Sequence, residues 1–285
     1  MRPELQSEFA PFLQVIERSS RAVLFVDYDG TLAPFRTERD HAYPYPGVAS
    51  LLQEIIRNGR TRVVVVSGRE ATEVLPLLNI RPEPEVWGVH GLQRLRADGG
   101  VDMPLLDERT MDGLSDADGW LSYQQLRHVA EVKTGSIAAH WRGLDELATE
   151  DIRARVLLGW RPIAEHSDLD LLQFDGGVEI RARQADKGAA VRKLLREFET
   201  GTPTAYLGDD ATDESAFLVI NNLAKNDRTS KTRAITVLVR PERRPTAAQF
   251  WLKPPEELLD FLNQWLRACS EKQLCNSGAA AAMKL

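Results

Sequence analysis

Apolar positions along this chain fall into two kinds of run that alternate. From Glu4 to Ser19 they recur at Leu5, Phe9, Phe12, Leu13 and Ile16. That three-and-four spacing places them on one face of a helix. Ala22-Val23-Leu24-Phe25-Val26 is then unbroken, the pattern of a short strand buried on both faces of a parallel sheet. A helix is expected after Pro46-Gly47, with Val48, Leu51, Leu52 and Ile55 on one face. Arg62-Val63-Val64-Val65-Val66 reads as a second buried strand, Glu70 to Leu78 as a helix, and Val86-Trp87-Gly88 as a third strand. Strand and helix in alternation predict an α/β fold with a Rossmann-like, doubly wound parallel sheet.

The pattern changes after about Met103. Trp120 to Ala130 and Asp145 to Leu158 read as helices, Val132-Lys133 and Ser136 to Trp141 as strands. Leu169 to Phe174 and Val178 to Arg181 flank Asp175-Gly176-Gly177, a hairpin turn signal. Buried parallel-type strands return at Ala205 to Gly208 and Ile235 to Val239. The expected layout is an α/β core over residues 1–102 and 184–270, interrupted by an α+β cap over 103–183. Glu256 to Ala268 is a last amphipathic helix. Residues 271–285 are Ala-rich at their end and have no period, so they read as a disordered tail.

Composition narrows the class. Among 285 residues, 43% are apolar and 27% charged, which fits a globular chain and excludes collagen or wholesale disorder. A net charge of −6 gives no long-range pull toward nucleic acid or an anionic membrane. Neither is expected as a partner, while a few placed cations would still hold a small anion. Two cysteines, Cys269 and Cys275, cannot build a disulfide framework. With no basic-then-apolar leader and no apolar stretch of about 18–20 residues, a cytoplasmic chain is expected. The oligomeric state stays open and is compatible with a monomer.

Chemistry-bearing residues follow the expected strands, where ligands of open parallel sheets bind. Asp27-Tyr28-Asp29-Gly30-Thr31 closes the first strand. Asp27, already ionised, suits nucleophilic attack on phosphorus, and Asp29 suits general acid and base work. A plain polar turn is the competing reading. Ser67-Gly68-Arg69 follows the second strand and offers a hydroxyl and amides to an anion, or a simple helix cap. Asp186-Lys187-Gly188 opens a helix, where a Lys has the wrong sign for the dipole unless an anion is near. Gly208-Asp209-Asp210-Ala211-Thr212-Asp213-Glu214 puts four acids after a buried strand. Hard oxygen ligands suit Mg2+. The dipole of a following helix accounts for Asp213 and Glu214, and less well for Asp209 and Asp210.

The order acid pair, Ser, Lys, acid cluster resembles the haloacid dehalogenase-like phosphatase superfamily. That resemblance implies a cap of the C2 type, Asp27 as nucleophile, Asp29 as acid and base, and Ser67 and Lys187 as phosphate clamps. It also implies Mg2+ held by Asp27, the Asp29 carbonyl and Asp209, with Asp213 in support. Several stretches resemble trehalose-6-phosphate phosphatases more narrowly. These are the 208–214 segment, Gly88-Val-His-Gly91, Glu131-Val-Lys133-x-x-Ser136-x-x-x-His140-Trp-Arg142, and Val178-Glu179-Ile-Arg181 before Asp186-Lys187. The resemblance covers about Ala22 to Trp265. It implies a sugar phosphate as small-molecule substrate. It implies substrate contacts from Thr31, Gly68, Arg69, His90 and Trp141, and sets Glu131, Lys133, His140, Arg142, Glu179 and Arg181 toward the sugar. Departures are Trp141 for Tyr, Ala182 for Pro and Gln93 for Glu. A phosphatase for another sugar phosphate, a phosphomutase and a silent sugar-phosphate-binding subunit are the alternatives. The four intact motifs disfavour the last.

Overall fold

The computed structural model describes residues 3–36, 38–174, 176–226 and 233–282. Helix α1 (Pro3–Arg18) leads into β1 (Ala22–Val26), and α2 (Val48–Asn58), β2 (Thr61–Val66), α3 (Ala71–Leu78) and β3 (Glu85–Gly88) follow. A short antiparallel pair, β4 (Gln93–Leu95) and β5 (Val101–Asp102), extends the sheet beyond β3. The insert holds α4 (Glu108–Tyr123), β6 (Ala130–Lys133), β7 (Ser136–His140), α5 (Glu146–Ser167), β8 (Leu169–Phe174) and β9 (Gly177–Ala182). The chain then returns through α6 (Lys187–Leu195), β10 (Thr204–Gly208), α7 (Glu214–Asn226), β11 (Ala234–Val239), β12 (Phe250–Leu252) and α8 (Glu256–Ala282).

The larger sheet runs β12-β11-β10-β1-β2-β3-β4-β5, with every pair from β12 to β3 parallel. Each residue of β1 is buried, because helices cover both faces. Leu24 and Val26 pack with α1, α2, α3 and α8, while Val23 and Phe25 pack with α6 and α7. This is a doubly wound α/β sheet. From β1 the chain winds outward to β2 and β3, then restarts on the other side at β10. The carboxyl ends of β1 and β10 therefore flank a topological switch point.

The smaller sheet, β6-β7-β9-β8, is antiparallel throughout. Its strands alternate. Ile137, Ala139, Val178 and Ile180 pack with Ala117 and Trp160 of α4 and α5. The residues between them look away from those helices, toward the core.

Three expectations about elements are corrected. The helix expected over 120–130 is α4, spanning Glu108–Tyr123 and begun by the Asp107 side chain accepting from Thr110 N. Its buried face is Thr110, Gly113, Ala117 and Leu121, too small and polar to register as a hydrophobic stripe. Small size is required there: a Cβ at Gly113 would stand 2.2 Å from Ser167 Cβ. Second, α5 passes 158 and carries Pro162 inside it, because Trp160 and Ala164 remain buried against α4 and the sheet. Third, α8 runs on to Ala282, since alanine sustains a helix without a periodic apolar face. Residues 283–285 of the expected tail, and Asp175 of the expected turn, lie outside the described residues. No helix among the described residues is long and apolar enough to cross a membrane.

Candidate active site

Asp27 leaves β1 with its N–H still bonded to Leu207 O of β10 at 2.8 Å, which fixes the carboxylate at the sheet's edge. Lys187 Nζ donates to its Oδ1 at 2.7 Å and Thr31 Oγ1 to its Oδ2 at 3.2 Å. Gly30 turns the chain at φ +84°, and a Cβ there would lie 2.2 Å from Asp209 Oδ2. Only glycine allows both that backbone and that approach.

Asp29 faces the cavity and is gripped in two-pronged fashion by Arg69, Nε to Oδ2 at 2.6 Å and Nη2 to Oδ1 at 2.7 Å. Ser67 lies buried beneath the loop, its Oγ accepting from Arg69 N at 3.1 Å. The hydroxyl proton is not spent on that contact.

Lys187 is the first residue of α6 and is buried. The sign conflict with the helix dipole is resolved by its two partners, Asp27 and Asp213 Oδ1 at 2.8 Å. Burial works against its charge, but the two carboxylates outweigh burial and raise its pKa. Asp213 is spent as a brace. Its Oδ1 also accepts from Tyr206 OH at 2.6 Å, and its Oδ2 accepts from Asp209 N at 3.0 Å and Asp210 N at 3.1 Å.

Asp209 differs: its Oδ2 is buried with no hydrogen-bond partner. Burial, then Asp27 and Asp213, push its pKa well above the ordinary carboxylate range. Burial likewise drives Asp27 up to about 7 against the pull of Lys187. Asp27, Asp209 and Asp213 offer oxygens within 4.8 Å of one another. Three carboxylates against one ammonium leave two negative charges uncompensated, and an all-oxygen donor set fits a hard divalent cation. With Asp213 already accepting four hydrogen bonds, Asp27 and Asp209 are the carboxylates fitted to hold it.

The cap supplies the opposite wall. Register aligns Glu131, Ala138 and Glu179 across β6, β7 and β9. Glu131, Lys133, Ala138, His140 and Glu179 all line a cavity of about 510 Å³ shared with Asp27, Asp29, Gly68, Arg69, His90, Lys187 and Asp209. His90 Nε2 donates to Glu179 across the core–cap gap at 3.0 Å. Burial would raise Glu179, but His90, Lys133 and Arg181 outweigh it and hold the carboxyl below its usual range. His140 Nε2 meets Glu131 at 2.9 Å. Burial, with Lys133, Arg39 and Arg142 nearby, lowers His140 to about 4. Its ring is thus neutral and donates to the carboxylate.

Not every expected residue reaches the cavity. Trp141 packs in the cap's own core, because alternation turns it away while His140 and Arg142 face in. Arg181 is buried outside the lining, and its Nε and Nη1 have no hydrogen-bond partner. Thr31, Ser67 and Asp213 act beneath the surface. Gln93 caps α3 by accepting from Ala71 N at 2.8 Å, a task that needs no charge. Ala182 N donates to Gly135 O at 2.9 Å, a bond proline could not make. Sequence reasoning missed Phe35, Arg36 and Arg39 of the β1–α2 connection, and Phe174 at the end of β8. The first three lie in a stretch without periodicity; Phe174 was read only as a strand residue.

A parallel α/β core with an acid pair after β1, a buried Lys, an acid cluster after β10 and a cap over them is a haloacid dehalogenase-like fold. The fold is similar to a haloacid dehalogenase-like hydrolase from B. subtilis, with a TM-score of 0.57 at 16% identity over 85% of this chain and 98% of that one. It is more similar to the C-terminal domain of C. albicans trehalose-6-phosphate phosphatase, at 0.76 and 19% over 90% and 96%. A family model described as trehalose-phosphatase matches residues 25–255, and the chain belongs to that family. Among its relatives, trehalose-6-phosphate phosphatase of Escherichia coli (strain K12) is 28% identical over 216 residues, 75% of this chain and 79% of its own. Probable trehalose-phosphate phosphatase 3 of Oryza sativa subsp. japonica is 26% identical over 273 residues, 88% and 70%.

Proposed function

We propose that this chain hydrolyses trehalose 6-phosphate to trehalose and phosphate by way of a phospho-aspartate at Asp27, with Mg2+ required and residues 103–183 acting as the cap. The observation that carries the reading is one cavity with two chemically distinct walls. The core wall presents carboxylates and Lys187, suited to a phosphoryl group. The cap wall presents Glu131, Lys133, His140 and Glu179, suited to many hydroxyls.

Asp27 attacks phosphorus through a carboxylate oxygen, and the phosphorus–sugar oxygen bond breaks. Asp29 gives its proton to the departing sugar oxygen and then takes one from the water that cleaves the aspartyl phosphate. Arg69 must yield or move with Asp29 for that proton to be delivered. Lys187 and Ser67 hold the phosphoryl oxygens. Mg2+, held by Asp27, Asp209 and the Asp29 carbonyl, would offset the repulsion between carboxylate and phosphate.

The test is product analysis. Phosphorus NMR of the enzyme with trehalose 6-phosphate should show inorganic phosphate rising in step with free trehalose. A new phosphate ester would mark a phosphomutase instead, and an unchanged spectrum a binding subunit.

A further inference from the structure

Arg39 stands in a short helical turn, Arg39–His41, within the β1–α2 connection. Its guanidinium leaves the core and pairs with Glu131 of cap strand β6, with Glu73 of α3 at 3.7 Å on its other side. The same connection touches the cap again at Phe35, whose ring lies 4.5 Å beneath the Arg142 guanidinium. Both contacts line the cavity. Glu131 divides its oxygens: Oε2 accepts from His140 at 2.9 Å, while Oε1 faces Arg39 and lies 3.6 Å from Lys133. Arg39 thus fixes the half of Glu131 that His140 leaves free to rotate. The phosphoryl groups do not need it, since Asp27, Asp29 and Lys187 each have other partners.

We infer that Arg39 is a specificity-determining positioning residue: by pairing with Glu131 it ties the β1–α2 connection to the cap and holds that carboxylate where it meets sugar hydroxyls. This rests on the trehalose 6-phosphate reading. A carboxylate accepts two hydroxyls well only when its plane is fixed. A free Glu131 would lose that orientation, and the cap would lose one of its ties to the core.

The experiment measures kcat and KM for trehalose 6-phosphate and for p-nitrophenyl phosphate, which has no sugar, with glucose 6-phosphate added for the wild type. The proteins are wild type, Arg39→Ala, Arg39→Lys, Glu131→Ala and the Arg39→Ala/Glu131→Ala double variant. The ratio of the two kcat/KM values should fall about tenfold in Arg39→Ala, as expected for one partly exposed charged hydrogen bond. Arg39→Lys should recover part of it, keeping charge without the planar fork. The double variant should fall no further than Glu131→Ala, because the two residues act as one unit. An unchanged ratio in Arg39→Ala, or additive losses in the double variant, would overturn the inference while leaving the substrate reading intact. A wild type with no preference for trehalose 6-phosphate over glucose 6-phosphate would overturn the substrate reading, and the inference with it.

Discussion

Asp27 and Asp209 hold opposite positions in the charge balance of the site. Asp27 has two donors, Lys187 and Thr31, whereas Asp209 keeps a bare buried oxygen. Asp27→Asn changes little volume and retains an oxygen for Lys187 or Thr31, so the fold should survive. Turnover should be abolished because the attacking charge is gone. Phosphate release by the purified variant, beside its thermal melt, checks this, and more than trace activity in a folded variant would remove Asp27 from the nucleophile's role. Gly30→Ala is a sharper probe of geometry. It forces a left-handed φ on alanine, at about 1–3 kcal/mol, and drives a methyl into Asp209 Oδ2. The variant should melt lower and also need more Mg2+ for half-maximal activity. A lower melt with unchanged metal demand would mean that Gly30 serves the turn alone. At this scale the sequence was most legible where a carboxylate directly ends an apolar run, as at Asp27. It was least legible at Arg39 and Phe35, whose roles come from where a non-repetitive connection meets the cap.

Among the elements, strands were easier to read than the helices that cover them. A buried parallel strand announces itself as an apolar run, and β1, β2, β10 and β11 do so. Helix α4 hides because tight packing on α5 and β8 selects Gly113 and Ala117 over large apolar residues. In strands β6, β7 and β9 period two separates a face packed on α4 and α5 from a face that lines the cavity. That split turns His140 and Glu179, expected from the family resemblance, into the cavity and explains why Trp141 faces the cap's own core. His140→Ala should lower kcat/KM for trehalose 6-phosphate by about 10- to 100-fold relative to p-nitrophenyl phosphate. Part of the loss should appear in kcat if the contact helps hold the cap shut. Glu179→Ala should do the same and in addition melt lower, because it strands buried His90 and Lys133 without their shared carboxylate. Equal losses on both substrates would place these residues in phosphate chemistry or folding instead.

Taken as a whole, one cavity lies between core residues Asp27, Asp29, Lys187 and Asp209 and cap residues Glu131, Lys133, His140 and Glu179; on the proposed function the first wall handles phosphate and the second the sugar. Core and cap meet through His90 and Glu179, Glu70 and Thr134 Oγ1 at 3.1 Å, and Arg39 and Glu131. On the proposed function, a divalent cation held beside Asp27 and Asp209 would offset the carboxylates before a phosphate dianion approaches. On the same reading, a cap that contacts the hydroxyls of both sugar rings would favour a disaccharide phosphate over a single-ring one. Magnesium dependence and disaccharide preference should therefore appear together in one measurement: initial phosphate release from trehalose 6-phosphate and from glucose 6-phosphate, each with Mg2+ and with excess chelator. The account predicts rapid release from trehalose 6-phosphate with Mg2+, far slower release from glucose 6-phosphate, and silence for both under chelator that is reversed by added Mg2+. Equal rates on the two sugar phosphates, or undiminished release in chelator, would contradict it.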